Sequence, residues 1–360
     1  MNRKSQPPAT ATSDRRGFLQ QTCGAAVGLG LSGWLHETTL AADEARLAAD
    51  EESEPALVRI GLVTDLHYAD KPPGGSRHYR DSLAKLAAAG RQFVQAKTDV
   101  VIELGDFIDS AESLEAEKGF LRRVETEFAK VPGPRHHVLG NHCVSALTKP
   151  EFLELAGQAK SYYSFDLNHV HCIILDACFR SDGAAYERSN FQWTDSYLPP
   201  AELEWLRGDL QAATGPVLVF VHQCLDVDPP YGIKNAVETR QTLEASGRVL
   251  AVFQGHHHPG GYRQINGIHY YTLRAMVEGP GQESHAYAVV EVSANRQVRV
   301  NGFGKQPGYQ GRPLAVRRAA ARRASGLIAV DARGRVRQQA TGDADARRPG
   351  TDARLPGVPN

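Results

Sequence analysis

Short apolar runs recur along this chain, and five of them stop at residues able to bind a metal. Residues 57–64 end at Asp65, with His67 two positions on, and residues 99–104 end at Gly105-Asp106. Residues 135–139 end at Gly140-Asn141-His142. Residues 216–221 end at His222, and residues 248–253 at Gln254-Gly255-His256, with His258 close behind. The runs are rich in Val, Ile and Leu, which reads as buried strand. In open α/β sheets, groups beyond the carboxyl ends of strands meet in space. Ligands spread from Asp65 to His258 can therefore share one site. A lone Gly-Asp or a lone His is usually turn chemistry or a satisfied polar residue. An ordered set at five strand ends is hard to obtain by chance.

The intervening segments supply the helices. Residues 79–97 carry Leu83, Leu86, Ala87, Phe93 and Val94 at spacings of three and four, which predicts a helix. Helices are also expected near residues 114–130 and 201–210, and a further strand at residues 171–176. Alternating segments near residues 268–273, 286–292 and 298–300 read as late antiparallel strands. Strand–helix alternation argues for an α/β fold with covering helices. No internal repeat is present. The hydrophobic fraction of 41% is enough for a sizeable core, and no apolar run reaches the roughly 18 residues of a membrane span.

The formal net charge of zero conceals unlike parts. Residues 1–42 carry net +2 and residues 312–360, with eleven Arg against four Asp, net +7, which leaves the middle at −9. The balance argues against a strongly basic, specific nucleic-acid binder. Residues 1–42 read as an export signal: Arg15-Arg16, then Phe18-Leu19, a short Gly/Ala-rich apolar stretch, and small residues at Ala41-Ala42. This resembles a bacterial twin-arginine signal, which implies passage through the twin-arginine machinery to the periplasm or outside the cell. Cys23 follows Thr22 rather than a small residue, which argues against a lipid anchor. A linker is expected over 43–56, a folded domain carrying the strand-end motifs over 57–305 and a disordered Arg/Ala-rich tail over 306–360. Five Cys are too few for a disulfide framework, and buried free thiols are expected at Cys172 and Cys178.

Asp65-Leu66-His67, Gly105-Asp106, Gly140-Asn141-His142, His222 and Gly255-His256-His257-His258 together resemble the signature of the calcineurin-like metallophosphoesterases. The resemblance covers about residues 57–305 and implies an αββα sandwich with a dinuclear metal site at the strand ends. Asp65, His67, Asp106 and His258 would hold one metal, and Asp106, Asn141, His222 and His256 the other. Asp106 would bridge, because a carboxylate has two oxygens to share. His142 would contact the phosphate and donate a proton to the leaving oxygen. Two divalent metals activate a bridging hydroxide and neutralise the charge that develops on a phosphoryl group. Mixed Asp, His and Asn ligands suit Mn, Fe or Zn, with Mn favoured. The chain departs from the purple acid phosphatases, which place Tyr where Asp109 stands. It departs again at Cys143, where many relatives carry an acidic residue that holds the histidine; Asp70 or Asp109 is available instead.

Segments between the motifs narrow the resemblance. Asp65-Leu66-His67-Tyr68-Ala69-Asp70, residues 77–80, residues 161–165, residues 255–262, residues 267–272 and Glu278 are similar to the manganese-dependent ADP-ribose/CDP-alcohol diphosphatases. That branch usually carries Gln at the position of His67. The resemblance implies hydrolysis of phosphoanhydrides in nucleoside diphosphate derivatives. General phosphomonoester or phosphodiester hydrolysis is the alternative, and a non-catalytic scaffold a third reading that the complete ligand set disfavours. Arg77, Arg80 and Arg274 are candidates for clamping phosphate. Tyr68 or Tyr262 could stack on a base, with core packing as the alternative. Residues 226–232 read as a loop over the site, and Glu283 and His285 as solvated.

Overall fold

The computed structural model describes residues 55–310; residues 1–42, expected to be an export signal, most of the expected linker and residues 311–360 lie outside the described residues. In chain order the first elements are β1 (Ala56–Val63), α1 (Ser82–Ala96), β2 (Val100–Glu103), α2 (Leu114–Phe128), β3 (Arg135–His137) and α3 (Lys149–Ala156). Then follow β4 (Tyr163–Leu167), β5 (Val170–Ile174), α4 (Pro200–Ala212), β6 (Val217–Phe220), α5 (Ala236–Ser246) and β7 (Val249–Gln254). The last strands are β8 (Gly261–Ile265), β9 (Ile268–Thr272), β10 (Ala286–Ser293), β11 (Val298–Gly304) and β12 (Tyr309–Gln310).

They form two six-stranded sheets, ordered β12-β11-β10-β1-β2-β3 and β4-β5-β6-β7-β9-β8. Alternation along the strands decides the layering. Val58, Ile60 and Leu62 of β1 and Val100 and Ile102 of β2 face Ile174, Leu218, Phe220 and Phe253 of the other sheet. On the outer face of the first sheet, Val101 and Val289 meet Leu86 and Phe93 of α1 and Leu121, Val124 and Phe128 of α2. On the outer face of the second, Ile173, Val219 and Val252 meet Leu203, Leu206 and Leu210 of α4 and Leu243 of α5. The result is the αββα sandwich that the motif resemblance implied.

The parallel strands β1, β2 and β3 in one sheet, and β5, β6 and β7 in the other, run with their carboxyl ends toward the ligand motifs. The late strands are not all antiparallel: β10 and β11 are, but β9 pairs parallel with β7. Its partner β8 supplies the antiparallel edge. The sheet also continues through β12, where Val300 pairs with Tyr309, so residues 306–310 belong to the fold rather than to the tail. Besides β12, four elements went unread in the sequence. Strands β4 and β8 are sheet edges with mostly half-exposed or exposed residues, so their alternation is weak. Helix α3 has eight residues and is defined more by its Thr148–Glu151 capping box than by an apolar stripe. Helix α5 buries only Leu243 among large apolar residues.

Phe220 lies fully buried between the sheets and stacks on Phe253 at 5.6 Å. Phe220→Ala should destabilise the protein by about 3–5 kcal/mol, read as a lower denaturation midpoint with an unchanged slope.

Candidate metal centre

Each motif sits where a strand stops and the backbone turns sharply. Asp65, His67, Asp106 and His256 all adopt left-handed φ, between 43° and 66°. Such conformations cost of order 1–3 kcal/mol each for non-glycine residues and persist where surrounding structure enforces them. Here backbone hydrogen bonds do so: Asp65 N–H donates to Gly105 C=O, and His67 N–H to Asp106 C=O. Glycine permits the close approach at two other turns. A Cβ on Gly140 would lie 2.2 Å from the Asp106 Oδ1, and one on Gly255 only 2.1 Å from the Thr64 hydroxyl.

Six of the seven expected ligands fall into two adjoining groups. Ligand atoms of Asp65, His67 and His258 lie within 4.8 Å of one another, as do those of Asp106, His222 and His256. Asp106 joins the groups: its Oδ2 is 3.6 Å from His67 Nε2 and 3.2 Å from His222 Nε2. Asn141, also buried, lines the same cavity as Asp106 and His256. A third grouping, His67, Asp109 and His142, shares His67 and contains the hydrogen-bonded pair described below.

Outer partners orient these side chains. Asp65 Oδ2 accepts from Thr64 Oγ1 at 2.7 Å and from His256 N–H at 3.1 Å, which leaves Oδ1 facing inward. His222 Nδ1 donates to Leu104 C=O at 2.8 Å, freeing Nε2. His258 Nδ1 bonds Glu278 Oε1 at 2.6 Å, also freeing Nε2. The loop that carries Glu278 is held in turn by Lys85. This buried ammonium donates to the carbonyls of Met276 at 2.9 Å, Val277 at 3.3 Å, Glu278 at 3.3 Å and Gly279 at 2.7 Å.

The arrangement fits divalent cations. Asp65 Oδ1 and Asn141 Oδ1 are buried acceptors without a hydrogen-bond partner in the protein. Buried polar atoms are rarely left so, and a cation would satisfy them. Charge has the same sense. Burial would raise the carboxyls of Asp65 and Asp106, but the surrounding imidazoles outweigh it and hold both well below the usual range. Burial pulls His67 down to about 4 and His256 to about 3, so both stay neutral and able to ligate. His222 is pushed up to about 9, because the Asp106 carboxylate beside it outweighs burial when no cation intervenes.

His142 is set apart from the ligand groups. Its Nδ1 lies 2.8 Å from Asp109 Oδ1, and its N–H donates to Asp106 Oδ1 at 2.8 Å. Of the two carboxylates available to hold it, Asp109 does so; Asp70 pairs instead with Arg80 at the surface. Burial lowers the imidazole, but Asp106 and Asp109 outweigh it and raise it above its ordinary value. Cys143 is fully buried, with its thiol pushed far up by burial, so it is no nucleophile. The four described cysteines are all free and buried.

These groups floor a cavity of about 420 Å³, also lined by Arg77, Trp193, Tyr231 and Glu278. Of the three candidate phosphate clamps, Arg77 reaches it; Arg80 and Arg274 do not line it. Arg274 lines a neighbouring cavity on the His258 side. Neither Tyr68 nor Tyr262 reaches the site. Tyr68 packs edge-on to Phe120, and Tyr262 stacks on Tyr271 and Tyr309. Tyr231 confirms that the loop 226–232 borders the site. Trp193 went unread, because it lies in an irregular segment with no periodic pattern to place it. Glu278 stood out only through resemblance.

No family model matches the chain. Among curated proteins it is 26% identical over 298 residues to the manganese-dependent ADP-ribose/CDP-alcohol diphosphatase of Oryza sativa subsp. japonica, over 69% of this chain and 92% of that protein. It is 25% identical over 297 residues to the protein of the same name from Arabidopsis thaliana, over 67% of this chain and 92% of that one. The crystal structure of a dimetal phosphatase from Danio rerio superposes with a TM-score of 0.64 at 22% identity, covering 71% of this chain and 99% of that structure.

A Cβ at Gly255 would also lie 2.6 Å from Asp65 Oδ2. Gly255→Ala should displace Asp65 and lower retained metal after dialysis against Mn, measured by mass spectrometry. Gly208→Ala, whose Cβ meets nothing within 4 Å, should leave it at the wild-type level.

Proposed function

We propose that this chain, which has the calcineurin-like fold and resembles the manganese-dependent ADP-ribose/CDP-alcohol diphosphatases, is a dinuclear-metal phosphohydrolase acting on nucleoside diphosphate derivatives. The observation that carries this reading is the pair of ligand groups joined through Asp106, beside His142, whose imidazole Asp109 holds. Asp65, His67, Asp106 and His258 would hold one Mn, and Asp106, Asn141, His222 and His256 the other. When bound, two such ions supply an activated water and offset negative charge on the phosphoryl oxygens.

The remaining chemistry falls to the chain's own groups. Arg77 lines the cavity wall and offers its guanidinium to a phosphate oxygen. His142 has Nδ1 committed to Asp109, so Nε2 is the atom that donates a proton to the leaving oxygen. Asp109 keeps that imidazole protonated and oriented. Its own carboxyl is held well below the usual range: burial would raise it, and His142 outweighs burial. The names of the relatives support, as the bond cleaved, a phosphoanhydride between a nucleoside monophosphate and the phosphate of a second sugar or alcohol.

After chelation and reloading with Mn, the full chain should cleave ADP-ribose or a CDP-alcohol faster than p-nitrophenyl phosphate or bis-p-nitrophenyl phosphate. No hydrolysis of any of them with two metals bound would sink the reading. His142→Ala should keep both metals and lose turnover by about 10²–10⁴-fold, while Asp106→Asn should lose metal. Asp109→Asn removes the charge that raises His142. Activity requires the protonated imidazole and is lost as pH rises through its pKa, so the alkaline limb of the pH profile should move to lower pH.

We further propose export by the twin-arginine route, supported by Arg15-Arg16 and the apolar stretch that follows. Replacing both Arg by Lys should retain the protein in the cytoplasm on cell fractionation; unchanged export would refute the route.

A further inference from the structure

Two large aromatic side chains stand exposed at the metal cavity, and the chemistry described so far uses neither. Large exposed hydrophobic residues are few among the described residues, and singly they need no explanation. Trp193 and Tyr231 are different, because they come together. Each is 39% exposed, their ring centroids are 5.6 Å apart, and both line the cavity floored by the ligand groups. Both also contact the same ligand: His256 lies 5.4 Å from the Trp193 ring and 5.8 Å from that of Tyr231.

The pair is built in advance. Trp193 comes from the segment between β5 and α4, and Tyr231 from the loop between β6 and α5. A turn closed by Asp195 N–H donating to Gln192 C=O brackets Trp193. The two loops are then tied together beside the rings: Lys234 Nζ meets Asp195 Oδ1 at 2.5 Å, and Lys234 N–H donates to Ser196 C=O at 2.9 Å. Tyr231 C=O accepts from Cys224 N–H at 3.1 Å. Aromatic faces held open to solvent by such ties lose little freedom when a flat group settles on them.

The cavity is also chemically two-sided. Trp193 and Tyr231 belong to the side of His256. Ser76, Arg77 and Glu278 belong to the side of His258, where Glu278 bonds that imidazole. On that polar side Ser76, His258, Pro259 and Glu278 also border a second cavity of about 400 Å³, which holds Arg274 and Lys305. A diphosphate lying across the ligand groups thus has an aromatic exit at one end and a polar, cationic exit at the other.

We propose that Trp193 and Tyr231 form the wall on which the nucleobase of the substrate stacks, with the base-bearing half on the His256 side and the second half directed past His258. This rests on the phosphohydrolase reading and adds to it a requirement for a planar heterocycle. Because every base has a π-face, the wall selects nucleotides over plain phosphoesters while tolerating adenine and cytosine alike.

Two measurements on the full-length, Mn-loaded protein test this. Trp193 is one of three tryptophans, so AMP should quench intrinsic fluorescence and ribose 5-phosphate should not. Trp193→Phe should abolish the AMP quench, because it removes the fluorophore beside the base. Trp193→Ala and Tyr231→Ala should each raise that KM by about tenfold, with the smaller part of the loss in kcat and metal content unchanged. Equal quenching by AMP and ribose 5-phosphate, or an unchanged KM in both Ala variants, would overturn the proposal. The fluorescence measurement needs no turnover. An AMP quench in a protein that hydrolyses nothing would leave the wall standing and sink the phosphohydrolase reading alone.

Discussion

The carboxylate of Asp106 is the hinge of this molecule. One of its oxygens lies within 3.6 Å of an imidazole from the first sheet's loops and 3.2 Å of one from the second. Two sheets with separate outer helices are thereby brought to a common point at the ends of their parallel strands. The burden is electrostatic. Several imidazoles and carboxylates lie buried together, and isolated charges would be costly there. The chain meets that cost with paired signs, oriented hydrogen bonds and buried oxygen atoms positioned to accept a cation.

The supporting structure is arranged to keep those atoms still. Strained left-handed turns aim Asp65, His67, Asp106 and His256. Thr64, Leu104 and Glu278 then fix the orientation of Asp65, His222 and His258, and Lys85 fixes the loop behind Glu278. The same logic governs His142, which a carboxylate from the loop after β2 holds in place. Around this rigid floor the walls differ, with aromatic rings toward His256 and polar groups toward His258. A site that treats the two ends of its substrate differently follows from which loops happen to border each ligand group.

Much of this was legible in the chain before folding. Buried parallel strands read as runs of Val, Ile and Leu, because both of their faces are covered. The residue after each run could be picked out because strand ends are where α/β sheets build sites. The unread elements share a cause. Strands β4 and β8 are edges, and α3 and α5 bury few large residues, so neither has a strong period. Strand β9 read as part of an antiparallel run, since a five-residue strand carries no mark of its neighbour's direction.

The sequence by itself determined which candidate metal-binding residues stand at the strand ends and in what order, and its resemblance to the calcineurin-like metallophosphoesterases implied the αββα class. Motifs of that kind are patterns of residue type, which are written in one dimension. Only the tertiary structure decided that Asp109 rather than Asp70 holds His142. It also removed Arg80, Tyr68 and Tyr262 from the site and brought Trp193 beside Tyr231. Those are questions of which loop crosses which strand end. Loops carry no periodic signal, and contacts between residues far apart in the chain are settled by packing the sheets together.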